Sequence, residues 1–289
     1  MKRTTLTFCL VLLTALSGIL LVGAAVAEDD PLILGVFPRR NATVTYKLFK
    51  PMVGYLSEQL HREVQLVTAK DFNTFWKGVV DKKYDIVHYN QYHYLKSHKA
   101  YGYQVILKNE EFGQDALAGS LLVRKDSGIN SVADLKGKKI AFGGGPKAMI
   151  AYVVPVYLLQ QAGLHKDDYE AIFAKNPPNA VLSVFYHQID AAGAGDKVLN
   201  LNTVKSQIDV SQMEHLLTSD PIAHIPWAVK PGMTASLRDK IQQAMLKLND
   251  TKQGKRILKN AQLTGIRIAT DAEYDPHRLI IQSVLGESY

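Results

Sequence analysis

The stretch Leu32-Ile33-Leu34-Gly35-Val36-Phe37, closed by Pro38 and the polar loop Arg39-Arg40-Asn41, starts an alternation that decides the fold class. A short apolar run bounded by turn formers reads as a buried strand. Residues 46–60 then carry a helical period, with Leu48, Met52, Tyr55, Leu56 and Leu60 around one side and Pro51 as a candidate kink. Val64–Thr68 is a second strand, and Asp71 is placed as the N-cap of a helix over Phe72–Val80. A third strand at 85–89, a helix at 92–100 and a fourth strand at 105–107 continue the pattern. Alternation of this kind predicts an α/β fold on a parallel sheet with right-handed crossovers.

The second half repeats the theme. Residues 117–124 form a longer strand ended by Asp126-Ser127-Gly128, and 139–142 form another. Gly143-Gly144-Gly145-Pro146 then leads into a helix that stops by Gly163. Further units are expected at 171–174, 179–186 and 189–194, then an extended crossing segment at 222–230 and only helices at 235–249, 254–260 and 273–285. This order predicts two α/β lobes joined by two hinge strands, 117–124 and 222–230. Lobe 1 takes 28–116 with 229–289 and lobe 2 takes 117–228, with the terminal helices returning to lobe 1. Open α/β sheets bind ligands at the carboxyl ends of their strands, so facing lobes make a hinged cleft.

Outside this frame lies a leader. Lys2 and Arg3 precede an apolar run from Leu6 to Val22, Ala25-Val26-Ala27 offers small residues for a peptidase, and Glu28-Asp29-Asp30 follows. Residues 1–27 therefore read as an export signal, with an uncleaved membrane anchor as the alternative. Cys9 is the only cysteine and lies within the leader, so the exported chain has no disulfide, which suits a bacterial periplasmic protein. Of the formal net charge of +7, two units belong to the leader. The remaining basic residues are scattered between acidic ones, which argues against a nucleic-acid partner.

Several motifs resemble the phosphate/phosphite/phosphonate-binding proteins of ABC importers, a type II periplasmic binding-protein family. They are Val123-Arg124-Lys125-Asp126-Ser127-Gly128-Ile129, Asp134-Leu135-Lys136-Gly137-Lys138-Lys139, Val154-Pro155-x-Tyr157-Leu158-Leu159, Ile189-Asp190-Ala191-Ala192, Ser219-Asp220-Pro221-Ile222, Leu263-Thr264-Gly265 and the tail around Asp271-Ala272-Glu273-Tyr274-Asp275-Pro276. The resemblance implies a two-lobed solute-binding protein without catalytic activity or cofactor, acting as a monomer that delivers a small molecule to an ABC permease. A sensory module for a membrane receptor or kinase is the alternative use of the same scaffold.

That family's oxyanion site does not carry over. Where phosphonate-binding relatives open the glycine-loop helix with Ser-Thr-Ser, this chain aligns Ala148-Met149-Ile150. Family tyrosines fall at Phe72 and Leu117, a histidine at Pro177 and an aspartate at Ile225. A further acidic residue falls at Lys197, with Asp196 one place away. A hydrogen bond to a charged group contributes about 1.5–3 kcal/mol, so losing four or five such groups removes several decades of oxyanion affinity. Lys147 remains as a positive charge beside the loop.

The segment from Asp85 to Tyr94 ends a strand at the cleft-facing end, and its Tyr89, Asn90 and Tyr94 suit either ligand stacking or packing. Ligand-binding candidates are thus Arg39, Phe72, Tyr89, Asn90, Tyr94, Leu117, Lys147, Ala148, Met149, Asp196 and, in the crossing segment, His224. His88, His93 and His98 are spaced by five, which spreads them around a helix, so no metal site is expected. The glycine loop lacks the hydroxyl of a nucleotide-binding loop, because Ala148 stands there. Trp76 and Trp227 read as core.

Overall fold

A computed structural model of the protein describes residues 30–289; the leader lies outside the described residues. Pro31–Tyr289 forms one compact unit. Its first strands and helices are β1 (Leu32–Val36), α1 (Ala42–Leu60), β2 (Val64–Thr68), α2 (Phe72–Val80), β3 (Ile86–His88), α3 (Gln91–Tyr101) and β4 (Gln104–Glu110). Then come β5 (Ala116–Leu117), β6 (Gly119–Arg124), β7 (Lys139–Gly143), a single π-turn (Met149–Val153) running into α4 (Val154–Gln161), β8 (Glu170–Ala174), α5 (Pro177–Phe185), β9 (Ala191–Gly195) and α6 (Asn202–Lys205). The chain closes with β10 (Met213–Thr218), β11 (Ile222–Ala223), β12 (Pro226–Val229), α7 (Ala235–Leu246), α8 (Lys252–Asn260), β13 (Gly265–Ile268) and α9 (Asp275–Leu285).

Two large sheets result, one six-stranded in the order β13-β4-β12-β3-β1-β2 and one five-stranded in the order β10-β6-β9-β7-β8, with β11 and β5 paired apart from both. Both are mixed rather than parallel. β1, β2 and β3 run parallel, but β12 is antiparallel to β3 and β4, and β13 is antiparallel to β4. In the other sheet β6 and β10 run against the β7–β8–β9 parallel core. The hinge is also shorter than expected. Among the described residues, Ala116–Leu117 and Ile222–Ala223 pair outside the two larger sheets as an antiparallel ribbon, with Ile222 opposite Leu117. Residues 119–124 are a buried strand of the second sheet, and Pro226–Val229 is a central strand of the first.

The local chemistry explains these elements. Asn41 caps α1 by accepting from the Val44 amide at 2.9 Å, and Asp71 caps α2 by accepting from that of Thr74 at 2.7 Å. Along α1, Phe49, Met52, Val53 and Leu56 are buried against the first sheet. Pro51 leaves the Lys47 carbonyl without its intrahelical donor. The Asn260 side chain supplies one instead, donating to the carbonyls of Lys47 at 3.1 Å and Leu48 at 2.7 Å, so the helix runs on through the proline. Asn260→Ala should therefore lower stability by about 1 kcal/mol, read as a shift in urea midpoint.

Trp227 anchors the first core. Its ring is fully buried, stacks on His88 with centroids 4.1 Å apart, and its Nε1 donates to Asn109 Oδ1 at 2.8 Å. Helices α7 and α8 pack on this core, with Ile241, Met245, Ile257 and Leu258 in the same cluster. α9 instead spans both halves, contacting α3 on one side and α4 with its π-turn on the other.

Candidate functional site

The carboxyl ends of β1 and β3 lie side by side, with Val36 opposite His88. The loop after β1 carries Arg39, which donates to Glu111 just past β4: Nη1 to Oε1 at 2.7 Å and Nη2 to Oε2 at 3.4 Å. Asn109 Nδ2 also donates to Glu111, at 3.3 Å, while its Oδ1 lies 3.2 Å from His88 Nε2. His224 completes the group, with Nε2 3.8 Å from Glu111 Oε1 and Nδ1 accepting from the Ile225 amide at 2.7 Å. Burial pushes Glu111 up; the charge and hydrogen bond of Arg39, together with the His224 and His88 rings, outweigh it and hold the carboxyl at about 2. Burial presses His88 down to about 3 and His224 to about 4, so both are neutral at pH 7. Arg39, His88, Asn109 and Glu111 border a cavity of about 10 Å³, the size of one water molecule.

A second group is aromatic. Phe72 opens α2 and is 40% exposed, stacking on His93 of α3 with centroids 5.1 Å apart. Phe37 lies 6.2 Å from Phe72, and Trp76, which is half-buried, lies 5.7 Å from His93. His93 is held at about 4, first by burial and then by Lys96 and Lys147.

The third group is the glycine loop after β7. Gly144 has φ +98°, a conformation that side chains resist, which accounts for the glycine there. The loop delivers Lys147 and Ala148 to the π-turn, which lies directly on the second sheet. A Cβ at Gly119 would meet Val154 Cγ1 at 2.5 Å and the Ile150 carbonyl oxygen at 3.1 Å. Met149 is fully buried and belongs, with Val153 and Val154, to one apolar cluster that also holds Phe37, Tyr89, Tyr92, Tyr94, Ile225 and Tyr274. Lys147 pairs with Glu287, which follows α9, and its Nζ sits 4.7 Å over the Tyr92 ring.

The sequence candidates thus fall into separate settings. Arg39 and His224 converge on Glu111. Phe72 sits with Phe37 and His93, while Lys147, Ala148 and Met149 follow the glycine loop after β7. Tyr89 and Tyr94 are in the core, Tyr94 donating to Asp271 Oδ1 at 2.5 Å, and Asn90 caps α3 by accepting from the Tyr92 amide at 2.9 Å. Leu117 is spent on the hinge ribbon, and Asp196 accepts from the Ala118 amide at 3.4 Å and pairs with Lys197 at 2.9 Å. The histidines separate, His88 to Trp227, His93 to Phe72 and His98 Nδ1 to the Tyr103 carbonyl at 2.7 Å. Glu111 and Glu287 carry the charge pairing of the two sites, and neither was a sequence candidate.

Residues 34–274 match the family model described as "ABC transporter, phosphonate, periplasmic substrate-binding protein". The chain belongs to this family. Its members are binding proteins of the periplasm that pass a small ligand to an ABC permease. The phosphonates-binding periplasmic protein of Escherichia coli K12 is 21% identical over 269 residues, which cover 91% of this chain and 80% of that relative. In fold, the chain resembles PhnD1 of Prochlorococcus marinus, solved in complex with methylphosphonate, with TM-score 0.74 at 19% identity over 89% of this chain and 98% of that one. A binding-protein component of an ABC phosphonate transporter from Pseudomonas aeruginosa gives TM-score 0.73 at 17% identity over 89% and 87% of the two chains. The two sheets are thus the two lobes of a phosphonate-family periplasmic binding protein. Among the described residues no helix is long and apolar enough to cross a membrane.

Proposed function

We propose that this member of the family captures a small molecule less polar than a phosphonate in the cleft between its lobes and hands it to an ABC permease. It does so as a monomer and without catalysis, with lobe boundaries near 116/117 and 228/229. The observation that carries this reading is the glycine loop. At the three positions where relatives present Ser-Thr-Ser, this chain has Ala148-Met149-Ile150, and Met149 is sealed in an apolar cluster with Phe37, Tyr92 and Ile225. The hydroxyl donors that would hold an oxyanion are replaced by carbon. The exposed Phe72 ring beside His93 and Phe37 supports an aromatic or aliphatic ligand surface instead.

Isothermal titration tests this. Residues 28–289, refolded to strip any bound molecule, are titrated with phosphate, phosphite and methylphosphonate. The expected result is no binding tighter than about millimolar, or about −4 kcal/mol. Micromolar binding of any of the three would return the protein to ordinary phosphorus uptake.

A further inference from the structure

The Lys147–Glu287 pair joins parts of the chain 140 residues apart. Lys147 immediately precedes the three positions at which relatives hold their anion. Its ammonium meets Glu287 Oε1. The other carboxylate oxygen, Oε2, accepts from Tyr92 of α3 at 2.6 Å and from the Tyr289 hydroxyl. The Tyr289 and Tyr92 hydroxyl oxygens lie 3.1 Å apart, with the two rings edge-to-face 5.7 Å apart. Lys99 of α3 donates to the Ser288 carbonyl at 3.0 Å. The segment after α9 is therefore fixed along α3 of the first lobe while its carboxylate reaches the glycine loop of the second.

A carboxylate with one ammonium and two hydroxyl donors on its two oxygens is a filled anion site. Burial pushes Glu287 up, but hydrogen bonds from Lys147, Tyr289 and Tyr92 outweigh it and hold the group at about 2, so it stays ionised. An arriving anion meets a cation already neutralised by a group on the same chain, and an intramolecular competitor acts at a high effective concentration. A neutral ligand faces no such competition.

We infer that Glu287 sets the charge selectivity of this cleft, acting as a built-in anion that occupies Lys147 and turns away oxyanions. This rests on the reading above that the cleft takes a less polar ligand, and it names a residue that enforces that preference beyond the missing hydroxyls. Glu287→Gln keeps the shape and an acceptor oxygen while releasing Lys147.

The test titrates methylphosphonate and inorganic phosphate into native protein, Glu287→Gln, Lys147→Met and the double variant, with circular dichroism melts to verify folding. Glu287→Gln should bind at least tenfold more tightly than native protein, and Lys147→Met in that background should erase the gain. A folded Glu287→Gln with no gain overturns the inference, and so does a gain that survives Lys147→Met. Should Glu287→Gln not fold, Glu287→Asp, which draws the carboxylate back by one methylene, gives the same comparison with a smaller gain expected. Micromolar binding by native protein would defeat the less-polar-ligand reading, whereas the ratio between variant and native reads the role of Glu287 separately.

Discussion

Acidification from pH 7 to pH 5 is expected to cost this fold about 4 kcal/mol or more, with a drop in Tm of roughly 10 °C. The cause is four buried neutral histidines. Burial holds His88 and His277 at about 3 and His93 and His224 at about 4, against about 6.5 in an unfolded chain. A depressed histidine contributes stability that is whole above pH 6.5 and lost as the pH falls, because only the unfolded chain then takes up the proton. Each such group favours the unfolded state by up to about 1.4 kcal/mol per pH unit until its folded value is reached.

Burial explains why none is protonated early. The Ala223 carbonyl 3.0 Å from His277 Nε2 favours the charged ring but is outweighed by burial, and His88 is clasped between Trp227, Phe37 and Phe49. Glu111 eases the cost at His224 without removing it. Glu111 and Glu287, both held at about 2, add a second loss in the same direction as pH falls below about 4.5. Urea titrations at pH 7, 6 and 5 read the effect, and His277→Gln should flatten the slope by about 1.4 kcal/mol per pH unit. A urea midpoint that stays level from pH 7 to 5 would show that these histidines pick up protons in the folded state.

What the sequence made legible follows the strength of local signals. β1 and α2 announced themselves through apolar residues and the Asp71 cap, whose side chain does accept the expected amide hydrogen bond, whereas α1 starts four residues before the expected 46 because Asn41 caps it. β10 and β13 were silent for a physical reason. β10 is an edge strand with half-exposed residues, and β13 is four residues whose outer Arg267 and Ile268 face solvent, so neither shows an apolar run. β12 was read as part of the crossing because prolines punctuate it. Proline is tolerated at the first position of a strand, which is where Pro226 stands, and Trp227, Ala228 and Val229 are buried as befits a central strand. In the site, the glycine loop and Lys147 carried local signatures. Glu111 and Glu287 did not, since their partners Arg39 and Lys147 lie 72 and 140 residues away and only the closed fold brings them together.

Restoring the relatives' hydroxyls is expected to move stability and affinity in opposite directions. In the triple variant A148S/M149T/I150S, Met149 gives up a fully buried thioether side chain and three hydroxyls enter partly or wholly dry surroundings. Lost packing and unpaired hydroxyls together should destabilise the ligand-free protein by on the order of 3–5 kcal/mol. For methylphosphonate the same groups become donors. Two hydroxyl hydrogen bonds to a charged oxygen, at about 1.5–3 kcal/mol each, raise affinity by about a hundredfold or more. Ligand binding then returns part of the lost stability, so the variant's Tm should rise with methylphosphonate concentration while that of native protein stays level. Combining the triple variant with Glu287→Gln frees Lys147 as well and should give the tightest binding of the series. A folded triple variant that ignores methylphosphonate even in that background would mean that the carbon side chains of Met149 and Ile150 are a consequence of how the lobes pack, and that selectivity against oxyanions is set elsewhere in the cleft.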